Sequence, residues 1–100
     1  MQIAQTILSQ LGGNRFIAMT GAKNLGAGSN SLQFHFPKGA KSRANICRVT
    51  LETSDTYLVE FWNYNRAKLT TTHVGEPHRG IYADQLQALF TEVTGLDTHL

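Results

Sequence analysis

From Ser31 to Phe36 apolar and polar side chains alternate, with Leu32, Phe34 and Phe36 on one side and Gln33 and His35 on the other. A period of two is that of a strand with one covered face, and Pro37, which cannot donate to a ladder, closes it. Alternation resumes from Asn45 to Glu52, where Cys47, Val49 and Leu51 oppose Arg48, Thr50 and Glu52, and Ile46 is the one apolar residue on the polar side. A third stretch, Thr56 to Tyr64, sets Tyr57, Val59 and Phe61 against Leu58, Glu60 and Trp62. Between the last two, Thr53-Ser54-Asp55 offers the short polar side chains that bond nearby backbone in turns, so the pair reads as a hairpin. Lys68 to Val74, with three threonines, is a candidate fifth strand.

The two ends of the chain follow a different period. Ile3, Ile7, Leu8 and Leu11 fall at helical spacing, and Gly12 and Gly13 end the run. Near the C-terminus Leu86, Leu89, Phe90 and Val93 mark a helix over 82–94. Asp84 suits its first turn, and Gly95-Leu96 matches a Schellman ending. Arg15 to Thr20 is apolar on both alternating sides through Phe16-Ile17-Ala18-Met19, which predicts a well-covered strand. The glycine- and asparagine-rich residues 21–30 predict a flexible connection, and Gly75, Pro77 and Gly80 predict a loop before the last helix. The expected order is α-β-β-β-β-(β)-α over one α+β domain, residues 1–100. Strands in series with short connections pair antiparallel, and two one-sided helices need a shared apolar sheet face. The expected sheet therefore has four or five strands, with the N-terminal and C-terminal helices on one face.

Composition narrows the function classes. With 41% hydrophobic and 16% charged residues the chain has enough apolar surface to fold. A net charge of +2 is far from that of a protein whose affinity comes mainly from phosphate neutralisation. Cys47 is the single cysteine, which excludes an intramolecular disulfide. No basic region followed by an apolar run marks a secretory signal, and no apolar stretch reaches the roughly 18 residues of a spanning helix, so a reducing cytoplasm is the expected setting.

Signatures of chemistry are weak. Gly26 is followed by Ala27 and Gly28, where a phosphate-binding loop needs Lys and then Ser or Thr. His73 and His78 lie close in sequence, but Gly75 and Pro77 between them give no fixed geometry, and Cys47 has no thiolate partner, so no metal or cofactor is expected. The serines have no nucleophile-elbow pattern around them, and the seven acids are scattered, so no catalytic residue is assigned. The outer side of the sheet says more. If both helices cover Leu32, Phe34, Cys47, Val49, Tyr57 and Phe61, the reverse presents His35, Arg48, Leu58, Trp62 and Tyr64, with Arg66 and Lys68 just beyond. Trp and Arg are typical protein-interface anchors. Aromatic and basic groups on an open sheet also suit single-stranded nucleic acid. A structural role, with Trp62 packed under residues 65–77, is the alternative.

Three groups of residues then carry a resemblance over nearly the whole length. They are Arg15-Phe-Ile-Ala-Met-Thr-Gly-Ala-Lys23, Asp55-Thr-Tyr-Leu-Val-Glu-Phe61, and Tyr82-Ala-Asp-Gln-Leu86 leading to Thr94-Gly-Leu96 and Thr98. In these the chain resembles a family of small, largely uncharacterised proteins of bacteriophages and integrative mobile elements. Where that family usually has Tyr after the Gly-Leu pair, this chain has Asp97. The resemblance implies origin in the host bacterium's phages or mobile elements rather than an activity, and it carries over no site; small accessory proteins of that origin often work by binding, either occluding a host-defence complex in the manner of anti-CRISPR proteins or handling nucleic acid. The expected activity is non-enzymatic docking on a macromolecular partner. The residues expected to carry it are Lys23, His35, Lys38, Lys41, Arg43, Arg48, Trp62, Tyr64 and Arg66.

Overall fold

The computed structural model of the chain describes residues 2–37 and 43–96. Two helices, α1 (Gln2–Leu11) and α2 (Gly13–Thr20), precede six strands: β1 (Lys23–Ala27), β2 (Ser31–His35), β3 (Ile46–Leu51), β4 (Tyr57–Asn65), β5 (Thr70–His73) and β6 (His78–Ile81). A 3₁₀ turn over Ala83–Gln85 leads into α3 (Leu86–Thr94). The sheet is antiparallel in the order β1-β2-β3-β4-β5, and β6 pairs with the first half of β4 on the edge whose second half holds β5. Residues 74–77 interrupt what is in effect one broken edge strand along β4.

The α+β class, the antiparallel sheet and the terminal helices agree with the sequence pattern; three segments differ. Arg15–Thr20 is helix, not strand, since it belongs to α2. Its apolar run carries no period of its own, and tertiary packing decides: Phe16 and Thr20, one helical turn apart, are buried while Ala18 is exposed. The connection expected over 21–30 contains β1, and the loop expected before the last helix contains β6.

All three helices lie on one side of the sheet. Ala4, Ile7 and Leu11 of α1, Phe16 of α2 and Leu86 and Phe90 of α3 form a single cluster with Leu32, Phe34, Cys47, Val49, Tyr57, Val59 and Phe61. Phe90 is at its centre, with ring centroids 5.2 Å from Phe16, 6.0 Å from Phe34, 5.1 Å from Phe36 and 6.3 Å from Phe61. Buried rings of this size each contribute about 2–3 kcal/mol through the area they withdraw from water. The Tyr57 hydroxyl donates to Gln10 Oε1 at 2.7 Å, tying α1 to β4.

α2 and α3 end in the same way. The last residue of each, Thr20 or Thr94, is buried and donates its hydroxyl to the carbonyl of Phe16 or Phe90, at 2.7 Å in both. Each hydroxyl then accepts the N–H two residues on, from Ala22 at 3.3 Å and from Leu96 at 3.1 Å. The glycine between, Gly21 at φ 73° or Gly95 at φ 78°, takes the left-handed conformation and returns its N–H to the carbonyl four residues back. The phrase Phe-x-x-x-Thr-Gly-apolar thus occurs twice, and the Phe16 and Phe90 rings meet edge to face.

Candidate interaction face

With the helices on one side, the register across the strands fixes what the other side displays. Lys23 pairs with His35, His35 with Ile46, Ile46 with Trp62 and Trp62 with His73, so one transverse row crosses five strands. The next row is Gly26, Gln33, Arg48 and Glu60. On the other flank, Tyr64 stands opposite Thr71. Ile46, the apolar exception on the polar side, is 8% exposed, covered within this face.

Trp62 is partly buried, and its neighbours come from the strands on both sides of β4. The Arg48 guanidinium carbon lies 5.0 Å from the indole centroid, a cation–π contact. From β5 the His73 ring lies 5.0 Å away, tilted by 36°. Arg48 is held in turn by Gln33, whose Oε1 accepts from its Nε at 3.0 Å and from Nη2 at 2.8 Å. Glu60 Oε2 lies 4.0 Å from His73 Nε2. Arg48 is exposed, so this cluster presents a guanidinium whose plane is set by its neighbours.

A second grouping forms where β1 begins and β2 and β4 end. An open cleft of about 570 Å³ is lined by Lys23, Asn24, His35, Asn45, Tyr64 and Arg66, among others. The Asn45 amide imitates a further pair of strand residues: its Oδ1 accepts the Tyr64 N–H at 2.8 Å and its Nδ2 donates to the Tyr64 carbonyl at 3.1 Å. That fixes the end of β4. Asn65 Oδ1 accepts the Lys68 N–H at 3.1 Å and shapes the turn that carries Arg66.

The structure therefore brings Lys23, His35, Tyr64 and Arg66 together and joins Arg48 to Trp62. Arg43 is exposed just before β3 and its carbonyl accepts from Asn63 Nδ2, but it does not line the cleft. Lys38 and Lys41 lie outside the described residues. Sequence reasoning missed Gln33, Asn45, Glu60 and His73, which act through register and through amides whose partners no local pattern reveals. It also passed over a countable signal: residues 1–50 hold six basic side chains and no acidic one, while all seven acids fall in 51–100.

On the covered side of β3, burial, and secondarily the Glu60 carboxylate, push the Cys47 thiol well above its ordinary range, so it stays protonated. Among the described residues no helix is long and apolar enough to cross a membrane. Comparison with protein-family models, with curated proteins and with solved structures finds no match to this chain.

Proposed function

We propose that the chain is a non-enzymatic binding protein that docks a protein partner through the outer face of its sheet. The observation that carries this reading is the Arg48–Trp62–His73 cluster, a preorganised aromatic and guanidinium group across β3, β4 and β5 on the sheet face that no described helix covers. Interfaces draw most of their affinity from a few such anchors held in place before binding. The exposed chemistry is also spread across a face rather than gathered in an enclosed cavity, which suits docking better than turnover. The phage-family resemblance supplies a setting, an accessory protein acting in the bacterial cytoplasm, with a host-defence complex as its partner.

Affinity capture from bacterial host lysate tests the reading. Arg48→Ala and Trp62→Ala are expected each to reduce partner retention about tenfold or more, with thermal unfolding still cooperative. No retained partner, or one indifferent to both changes, contradicts it.

A second reading, single-stranded nucleic-acid binding, draws on Tyr64 standing beside Lys23 and Arg66. It ranks below the first because the indole is already flanked by Arg48 and His73, leaving base stacking to displace one of them. Unchanged tryptophan fluorescence on adding oligonucleotides at low salt, where phosphate contacts are strongest, rules it out.

A further inference from the structure

We infer that the cleft between Lys23, His35, Tyr64 and Arg66 is a carboxylate-recognition subsite of the outer face, taking the acidic side chains of a segment on the partner protein's surface. The inference rests on the docking reading above and names the chemistry of what docks.

The cleft's cations are uncommitted. Arg79 is paired with Glu52 at 3.0 Å and Arg48 with Gln33, whereas the side chains of Lys23 and Arg66, and the His35 ring beside them, make no hydrogen bond or ion pair among the described residues. No Asp or Glu is among the described residues that line the cleft. Two cations and a phenol therefore face one open space with no carboxylate among the described residues to pair them. A guanidinium offers a planar fork that matches a carboxylate with two parallel bonds, an ammonium adds a point charge, and a phenol O–H donates a third contact. The positions are also built. Lys23 is set against His35 by strand register, and the doubly bonded Asn45 amide holds the backbone of Tyr64.

Oxyanions come as carboxylates or as phosphates, and the rest of the face selects between them. Glu60 stands in the row beside the one that holds Lys23 and Trp62. The opposite end of the β3–β4 hairpin carries Glu52, paired with Arg79, and the exposed Asp55. A phosphodiester chain laid across the face would leave the basic cleft and meet Glu60 and Asp55, and it would have to displace Arg48 or His73 to stack on the indole. A protein surface with acidic side chains at one end only complements a face whose unpaired cations gather in one cleft.

The test uses the isotope-labelled full chain at low salt, with a short glutamate-rich peptide as the probe. The peptide is expected to shift the amide resonances of Lys23, His35, Tyr64 and Arg66, and the shifts should vanish in Lys23→Glu/Arg66→Glu and diminish in Lys23→Gln/Arg66→Gln. Both residues are exposed, so the variants should keep the wild-type melting temperature. Absence of these shifts, shifts that survive charge reversal, or tighter binding of oligothymidylate to the same residues each overturns the assignment. Partner capture by the Arg48 and Trp62 variants is scored separately. A face that still docks its partner while the peptide fails to bind refutes the cleft and leaves the docking reading standing.

Discussion

Phe90 shows how much of the molecule depends on one side chain. Its ring touches those of Phe16, Phe34, Phe36 and Phe61, so it joins α2 and α3 to the two strands that position the outer face from behind. Phe90→Ala removes those contacts and leaves a cavity, and should cost about 3–5 kcal/mol in denaturant unfolding. Cys47 makes a prediction of the opposite kind, about charge. Its thiol is protonated in the folded chain because ionising it there means burying a thiolate, with the Glu60 carboxylate adding to the penalty. A folded-state pKa raised above the unfolded value contributes stability that is complete below the unfolded thiol's pKa, about 8.5, and is lost as pH rises beyond it. Denaturant midpoints should therefore fall above about pH 9, by roughly 1 kcal/mol per pH unit from this group. Cys47→Ala should remove that component while leaving any contribution from tyrosine or lysine. In the native chain near neutral pH the thiol should resist alkylation and react only on unfolding.

At the level of elements, the two Phe-x-x-x-Thr-Gly endings define where the helices stop. Gly21→Ala and Gly95→Ala force a Cβ into the left-handed region and should each cost about 1 kcal/mol, measured as a drop in unfolding midpoint. The same endings explain what the sequence disclosed and what it hid. α1, β2, β3, β4 and α3 were legible because each buries one side, so period two or 3.6 is written into Leu32-x-Phe34, Cys47-x-Val49 or Leu86, Leu89 and Phe90. α2 was misread because Phe16-Ile17-Ala18-Met19 is apolar at every position; only its shared ending with α3 marks it as a helix. β1 and β5 are exposed along their whole length, and β6 is only partly covered. Such strands are held by backbone pairing to a neighbour, a long-range property that side-chain periodicity does not record. Threonine content alone brought β5 into view.

For the whole molecule, the outer face could be anticipated as a set of residues but not as an arrangement. Alternation put His35, Arg48, Trp62 and Tyr64 on one side. Register then divides them into a cluster around the indole and a basic cleft at one end, and supplies Gln33, Asn45, Glu60 and His73 as the groups that hold them. In three dimensions the cleft where β1 begins has no acid among its described lining residues, while the exposed Asp55 and the Arg79-paired Glu52 sit at the far, β3–β4 end. That polarity should orient a partner and raise its association rate, so the rate should fall as salt is added.

The most direct measurement places a photo-crosslinking residue at single sites in the host cell. Thr50 and Thr71 point outward beside Arg48 and Tyr64, while Gln5 and Ala88 are exposed on the helices of the other side. Docking through the sheet predicts one shared crosslinked product from positions 50 and 71 and none from 5 and 88; capture from the helix positions, with the sheet positions silent, contradicts it.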